Sequence, residues 1–206
     1  MLVRHYVSGA APAAEHVFSS LNMDHAIKLA DWILCRYPYW TRDSVTHLKL
    51  QKLAFYAYGA ALAHNVDGDI GEIAFEAWEH GPVSRVIWQV NRDKGATPLA
   101  KPSHVQRYSL GTEQVLSDTL AVYGCLSAWA LRQQSHTEKP WTDAWNSDDH
   151  AIPTDGLRSY FKAKFQSGNV RIPEHLLAGW SLTLDGLTEP RFDSLHELAE
   201  LVQSSS

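Results

Sequence analysis

Apolar positions recur at helical spacing along most of this chain. Met23, Ala26, Ile27, Ala30, Ile33 and Leu34 form a first stripe, which Asn22 can cap and Tyr37-Pro38 ends, because the residue before proline leaves the helical region. From Ser44 or Thr46 a second helix is expected, with Leu50, Leu53, Ala54, Ala57, Tyr58 and Ala61 on one face. Leu48, Phe55 and Leu62 add apolar surface elsewhere on it, so this helix is expected to be central and covered on more than one side. Asn65-Val66-Asp67-Gly68 supplies a turn.

Ile73 to Trp78 alternates as a short strand, which Gly81-Pro82 stops. Pro82 is expected in the first turn of a new helix with Val83, Val86, Ile87 and Val90 inward, closed by Lys94-Gly95. Val105 to Leu110 is expected to pair with the first strand as a two-stranded ribbon. Thr112 is expected to cap a helix through Leu116, Leu120 and Tyr123; Gly124 and Ser127 break it before Ala128–Leu131. Pro140 opens a short helix carrying Trp141 and Trp145. Pro153 opens another, with Leu157, Tyr160, Phe161 and Phe165 inward. Leu195, Leu198, Ala199 and Val202 mark a final helix. The fold expected is mainly α: one helical domain, 22–168, with a small two-stranded β element, a loose N-terminal arm over 1–21, and a C-terminal extension over 169–206 ending in that helix.

Composition supports a folded core and excludes several classes. Of 206 residues, 45% are hydrophobic, with eight Trp and eight Tyr. The 20% of charged residues argues against a disordered chain. A net charge of −5 gives no whole-chain attraction for nucleic acid or anionic membrane, and better suits a basic protein partner. Cys35 and Cys125 lack a Cys-x-x-Cys spacing and read as reduced core thiols. No run reaches the roughly 20 apolar residues of a membrane span. Met1–Tyr6 meets charge before any apolar run, unlike a signal peptide, so the cytoplasm is the expected location.

Catalytic and metal signatures are lacking. The eleven histidines form no His-Glu-x-x-His and no His-x-His, and no Gly-x-Ser-x-Gly or phosphate loop occurs. No cofactor is expected. His80 stands without a second ligand at metal spacing. His136 and Glu138, two apart, better suit capping and loop hydrogen bonds.

The segments Leu48–Gly59 and Phe75–Val83 together are the most specific feature. The Leu50-x-Lys52-Leu53 helix followed by Ala77-Trp78-x-x-Gly81-Pro82-Val83 resembles the Panacea antitoxin domain family. Ser135-His136-Thr137-Glu138-x-Pro140-Trp141-x-x-Ala144 and then Tyr160-Phe161 continue the resemblance, which spans about Met23 to Phe165. It implies an antitoxin that acts by binding rather than catalysis, with a cognate toxin protein as partner. SocA-like members are proteolytic adaptors, which would add ClpX or another protease component. The structural motif is Trp78, Gly81, Pro82, Val83, His136 and Pro140. Lys49, Lys52, Glu79, His80, Arg85, Trp141 and Trp145 are the expected partner-binding residues, with the lysines pointing outward beside the Gly-Pro turn. Two other classes stay open: a hydrolase-like enzyme using His80, His136 and Glu138, and a nucleic-acid-binding regulator using the basic residues Lys49, Lys52, Arg85 and Arg92.

Overall fold

A computed structural model describes residues 13–37, 44–105 and 107–166, with side chains from Asp24 onward. All lie in the first of two units into which the chain divides, Met1–Val170. The final helix expected at Leu195–Val202 lies outside the described residues. The fold is mostly helical, with a small antiparallel sheet. Helices α1 (Ala13–Arg36), α2 (His47–Ala63) and α3 (Asp67–Ile70) precede strands β1 (Phe75–Trp78) and β2 (Gly81–Val83). Then come α4 (Arg85–Asn91), α5 (Leu110–Tyr123), α6 (Ala128–Ser135), α7 (Lys139–Trp145), strand β3 (Ala151–Ile152) and α8 (Thr154–Gln166). Among the described residues no helix is long and apolar enough to cross a membrane.

Helix α2 is the axis of the domain. Thr46 caps it by accepting from the Lys49 N–H, and fifteen of its seventeen residues are buried. Helices α1, α5, α6 and α8 and strand β2 pack around it. Tyr56 stacks on Tyr123 of α5 at 4.0 Å, and Phe55 meets Phe75 of β1 and Phe161 of α8 edge-on at 5.6 Å. Such pairs add about 0.5–1.5 kcal/mol each beyond area burial. Gly59 lets α8 approach: a Cβ there would lie 2.3 Å from the Phe161 ring.

The sheet has three strands, in the order β2–β1–β3. Glu76 faces Val83 and Trp78 faces Gly81 across β1–β2, leaving Glu79-His80 as a two-residue hairpin. Phe75 faces Ile152 across β1–β3. Several expectations are corrected here. Val105 and Arg107–Ser109 form no strand, because Ser109 is committed to capping α5 and its N–H donates to Asp69 at 2.6 Å. Thr112 therefore sits one turn inside α5. Pro82 lies in β2 and not in a helix, since an edge strand tolerates a residue with no N–H. Helix α1 begins at Ala13, so Asn22 is internal to it. Of the cysteines, Cys125 is exposed in the turn after α5 and Cys35 is half-buried; both are free.

Candidate functional site

The outer edge of β2 has no fourth strand, and side chains of α2 take its place. Gln51 accepts from the Ser84 N–H at 2.9 Å and donates back to the Ser84 carbonyl at 3.2 Å. One turn position on, Lys52 Nζ donates to the Pro82 carbonyl at 2.8 Å. These bonds answer backbone groups that burial would otherwise leave unsatisfied. They give the Leu50-Gln51-Lys52-Leu53 stretch a physical reason: apolar residues fill the core while the two polar ones hold the hairpin.

That placement overturns the outward orientation expected for the lysines. Lys49 and Lys52 are both fully buried. Lys49 lies over the Tyr37 ring, 5.1 Å from its centroid. Lys52 lies under Gly81, where a Cβ would come within 2.8 Å of Lys52 Cε and 2.5 Å of Ser135 Oγ. Gly81 also has φ +93°, a region that other residues resist. Burial, and then the Arg132 charge, bring the Lys52 ammonium down to a pKa of about 7. His47 is likewise lowered by burial and by Lys52.

Helix α6 brings further positive groups to the hairpin. Ser127 caps it, and Arg132 Nη2 donates to the Glu79 carbonyl at 3.3 Å. His136, at its C-cap, is held below the usual imidazole range by burial, then by Arg132, Lys52 and His80, with the Glu79 backbone acting the other way. Glu79 and His80 are exposed at the tip. The structure thus gathers Lys52, Glu79, His80, Gly81, Pro82 and His136, all named from sequence, and adds Arg132.

An aromatic ladder runs from this point. His136 stacks on Trp141 at 4.2 Å, Trp141 on Trp145 at 5.2 Å, and Trp145 leans on His150 at 5.7 Å. Trp141 Nε1 donates to the Trp78 carbonyl at 3.2 Å, tying α7 to β1. Pro140 in the first turn sets the start of α7. Trp141 is nearly buried, whereas Trp145 is 40% exposed. On the neighbouring side Arg85 makes two bonds to Glu76, at 2.9 and 2.6 Å, and covers Trp78, which meets Trp88 edge-on. Trp129, 61% exposed, lies 4.7 Å beneath the Arg132 guanidinium. Sequence reasoning passed over Trp129 and Arg132. Their i, i+3 spacing on a helix was the available signal.

Glu138 belongs to a different environment. It is 2% exposed and accepts from Tyr56 at 3.0 Å, from Lys164 at 2.5 Å and from Tyr160. Both phenols are pushed well above their ordinary range, first by burial and then by Glu138. Its carboxylate makes no hydrogen bond to His80 or His136 among the described residues. Nor do any three His, Cys, Asp or Glu there converge as a metal group.

No curated protein and no solved structure matches the chain. The family model described as Antitoxin SocA-like, Panacea domain matches residues 50–142, so the segment from α2 through the hairpin to α7 is similar to that family, and the likeness supports an antitoxin role.

Proposed function

We propose that this protein is an antitoxin that neutralises a cognate toxin protein by direct contact, and that it can hand the toxin to ClpXP or a comparable protease. The family match supports the antitoxin role. The contact surface is carried by one observation: Glu79, His80, Arg85 and Trp145 are all exposed on the elements around the hairpin, with Trp129 beside them. Exposed Trp beside Arg is the composition of interface anchors. Trp141, nearly buried, acts as the floor that orients Trp145. Lys52 acts from behind, by holding the hairpin, and Lys49 supports the helix beside Tyr37.

The enzyme reading is weakened by Glu138, whose oxygens are taken by two phenols and an ammonium. The binding unit proposed is the domain read from sequence as 22–168, carried back to Ala13 where α1 begins, with the cytoplasm as its location.

Co-expression tests the proposal. The neighbouring reading frame should be toxic alone and tolerated with this protein, and the two should co-purify. Trp145→Ala with Arg85→Glu should abolish protection while the helical circular dichroism stays intact. Full protection by that double variant would place the contact elsewhere. Toxin levels in cells with and without ClpX test the adaptor step: equal half-lives would leave plain neutralisation.

A further inference from the structure

The hairpin closes over a group of cation-forming side chains, and among the described residues its own acid, Glu79 at the exposed tip, meets Arg132 through its backbone carbonyl and makes no ion pair with them. Among the described residues Lys52 donates to a neutral oxygen, that of Pro82. Arg132 meets the Glu79 carbonyl and the Gln133 side-chain amide, both neutral, and its Nε is buried without a partner. His136 Nε2 is also buried without a partner. His80 is at the exposed tip, and its charge is felt at His136. Among the described residues none of these four makes an ion pair with a carboxylate. Elsewhere in the domain, half-buried cations do meet one: Arg158 with Asp67, Lys164 with Glu138, Arg36 with Glu113.

Clustered like charges in a partly desolvated place repel, and the arrangement persists only at a cost. A carboxylate reaching this place would meet a ready field. It would bond Arg132 and His136 at the rim, with Lys52 one layer behind the Gly-Pro turn.

We propose that Arg132, His136 and His80, backed by Lys52, form a carboxylate site that receives an acidic side chain of a protein partner. A peptide, rather than a small ion, is favoured by what flanks the site. Trp129 beneath Arg132 and Trp145 at the end of the ladder are both exposed, and they offer stacking surface to the residues beside the acid. The chain's overall charge of −5 repels an acidic partner at long range, so the acid must be an anchor within a segment that is not strongly acidic overall. That the partner is the toxin rests on the antitoxin reading above; the chemistry of the site does not.

The test needs no toxin. N-acetyl-triglutamate amide is titrated into the full chain, and the His136 and His80 ring protons are followed by NMR, with tryptophan fluorescence as a second readout. Triglutamate should shift both histidines and raise the midpoint of His136. It should bind more tightly as the pH falls from 8 to 6, because His136 and Lys52 then take protons; His47, on the same helix as Lys52, titrates in the same field. Arg132→Gln should weaken binding tenfold or more. Should that variant fail to fold, His80→Gln at the exposed tip should weaken it severalfold.

The proposal is overturned if triglutamine amide shifts the same protons equally, or if the folded Arg132→Gln chain binds as the parent does. It is also overturned if acetate at the same carboxylate concentration matches triglutamate, since that makes it a small-anion site. Failure here leaves toxin neutralisation standing. A harmless neighbouring reading frame would sink the antitoxin reading without touching this result.

Discussion

Two buried polar side chains one helical turn apart on α2, Tyr56 and Lys52, meet opposite treatment. At Tyr56, the helix reaches Glu138, a carboxylate that receives two phenols and an ammonium. At Lys52, it presents an ammonium to a neutral carbonyl, with Arg132 and His136 nearby. The first arrangement answers every charge and joins α2, α7 and α8. The second leaves positive charge unanswered beneath an exposed hairpin. A compensated buried charge is a structural tie, because removing one partner strands the others. An uncompensated one is a standing cost, and such costs collect where a protein does its work.

The largest effect should come from breaking the compensated node. Glu138→Ala removes the carboxylate that the Tyr56 and Tyr160 hydroxyls and the Lys164 ammonium share. Lys164 can partly reach water, being 17% exposed in its side chain. Unfolding free energy from urea titration should fall by about 3–5 kcal/mol. Glu138→Gln keeps an acceptor for the phenols and should lose less. A loss below about 1 kcal/mol for the alanine variant would erase the distinction between the nodes.

Gly81→Ala attacks the roof of the other node. It combines a strained φ with a Cβ driven against Ser135 and Lys52. Strain and overpacking together predict a loss of about 2–4 kcal/mol. The same denaturation measurement, finding an unchanged midpoint, would show that the hairpin yields freely and that the turn is a contact and not a clamp.

The contrast between the nodes was only half legible in the sequence. Helix α2 was readable because its cap, Thr46, and its apolar run are local signals. The α7 start at Pro140 and the Trp141–Trp145 pair were readable for the same reason. Lys49 and Lys52 misled, because a lysine is so seldom buried that its presence reads as a solvent face. What buries Lys52 is an acceptor thirty residues away, on a strand that did not look like one. Gly81-Pro82 breaks most strands, yet a three-residue edge strand whose outer neighbour is a helix needs no N–H from Pro82. The third strand, Ala151–Ile152, is two residues long and carries no periodicity at all. Arg132 and Trp129 lay outside the motif, and only their meeting with the hairpin gives them meaning.

Lys52→Met should behave unlike either variant. The folded-state pKa of Lys52 is depressed from 10.5 to about 7, so the folded chain takes up this proton later than the unfolded chain does. The stability contributed by Lys52 is therefore fully present above pH 10.5. It is lost as the pH falls from there to about 7, at about 1.4 kcal/mol per pH unit where the difference is full. Methionine cannot make this loss. It also cannot bond the Pro82 carbonyl, which costs about 1 kcal/mol. The variant should thus be less stable than the parent above about pH 10.5 and more stable than it, by a margin that exceeds the lost hydrogen bond, near pH 6. Denaturation midpoints across that range check the crossing. A parent-minus-variant difference independent of pH would mean that Lys52 is charged and answered in the fold, and that the two nodes are alike.

The smallest effect on stability belongs to a third kind of charge, the exposed pair of Arg85 and Glu76. Its geometry is good, with two bonds to one carboxylate, and Arg85 also covers Trp78. Water screens it all the same, and holding two side chains in one arrangement offsets what attraction remains. Arg85→Ala should leave the melting temperature within error of the parent, in low salt or high. Its effect should fall on binding instead, because charges at the rim of an interface govern approach more than residence. Association with the toxin, followed by surface plasmon resonance, should slow severalfold at low salt and differ little from the parent at 0.5 M, where screening removes the advantage. Dissociation should be nearly unchanged. A large rise in the dissociation rate would show Arg85 to be desolvated in the complex, and would move it from the rim to the centre of the contact, beside the carboxylate site that Arg132 and His136 form.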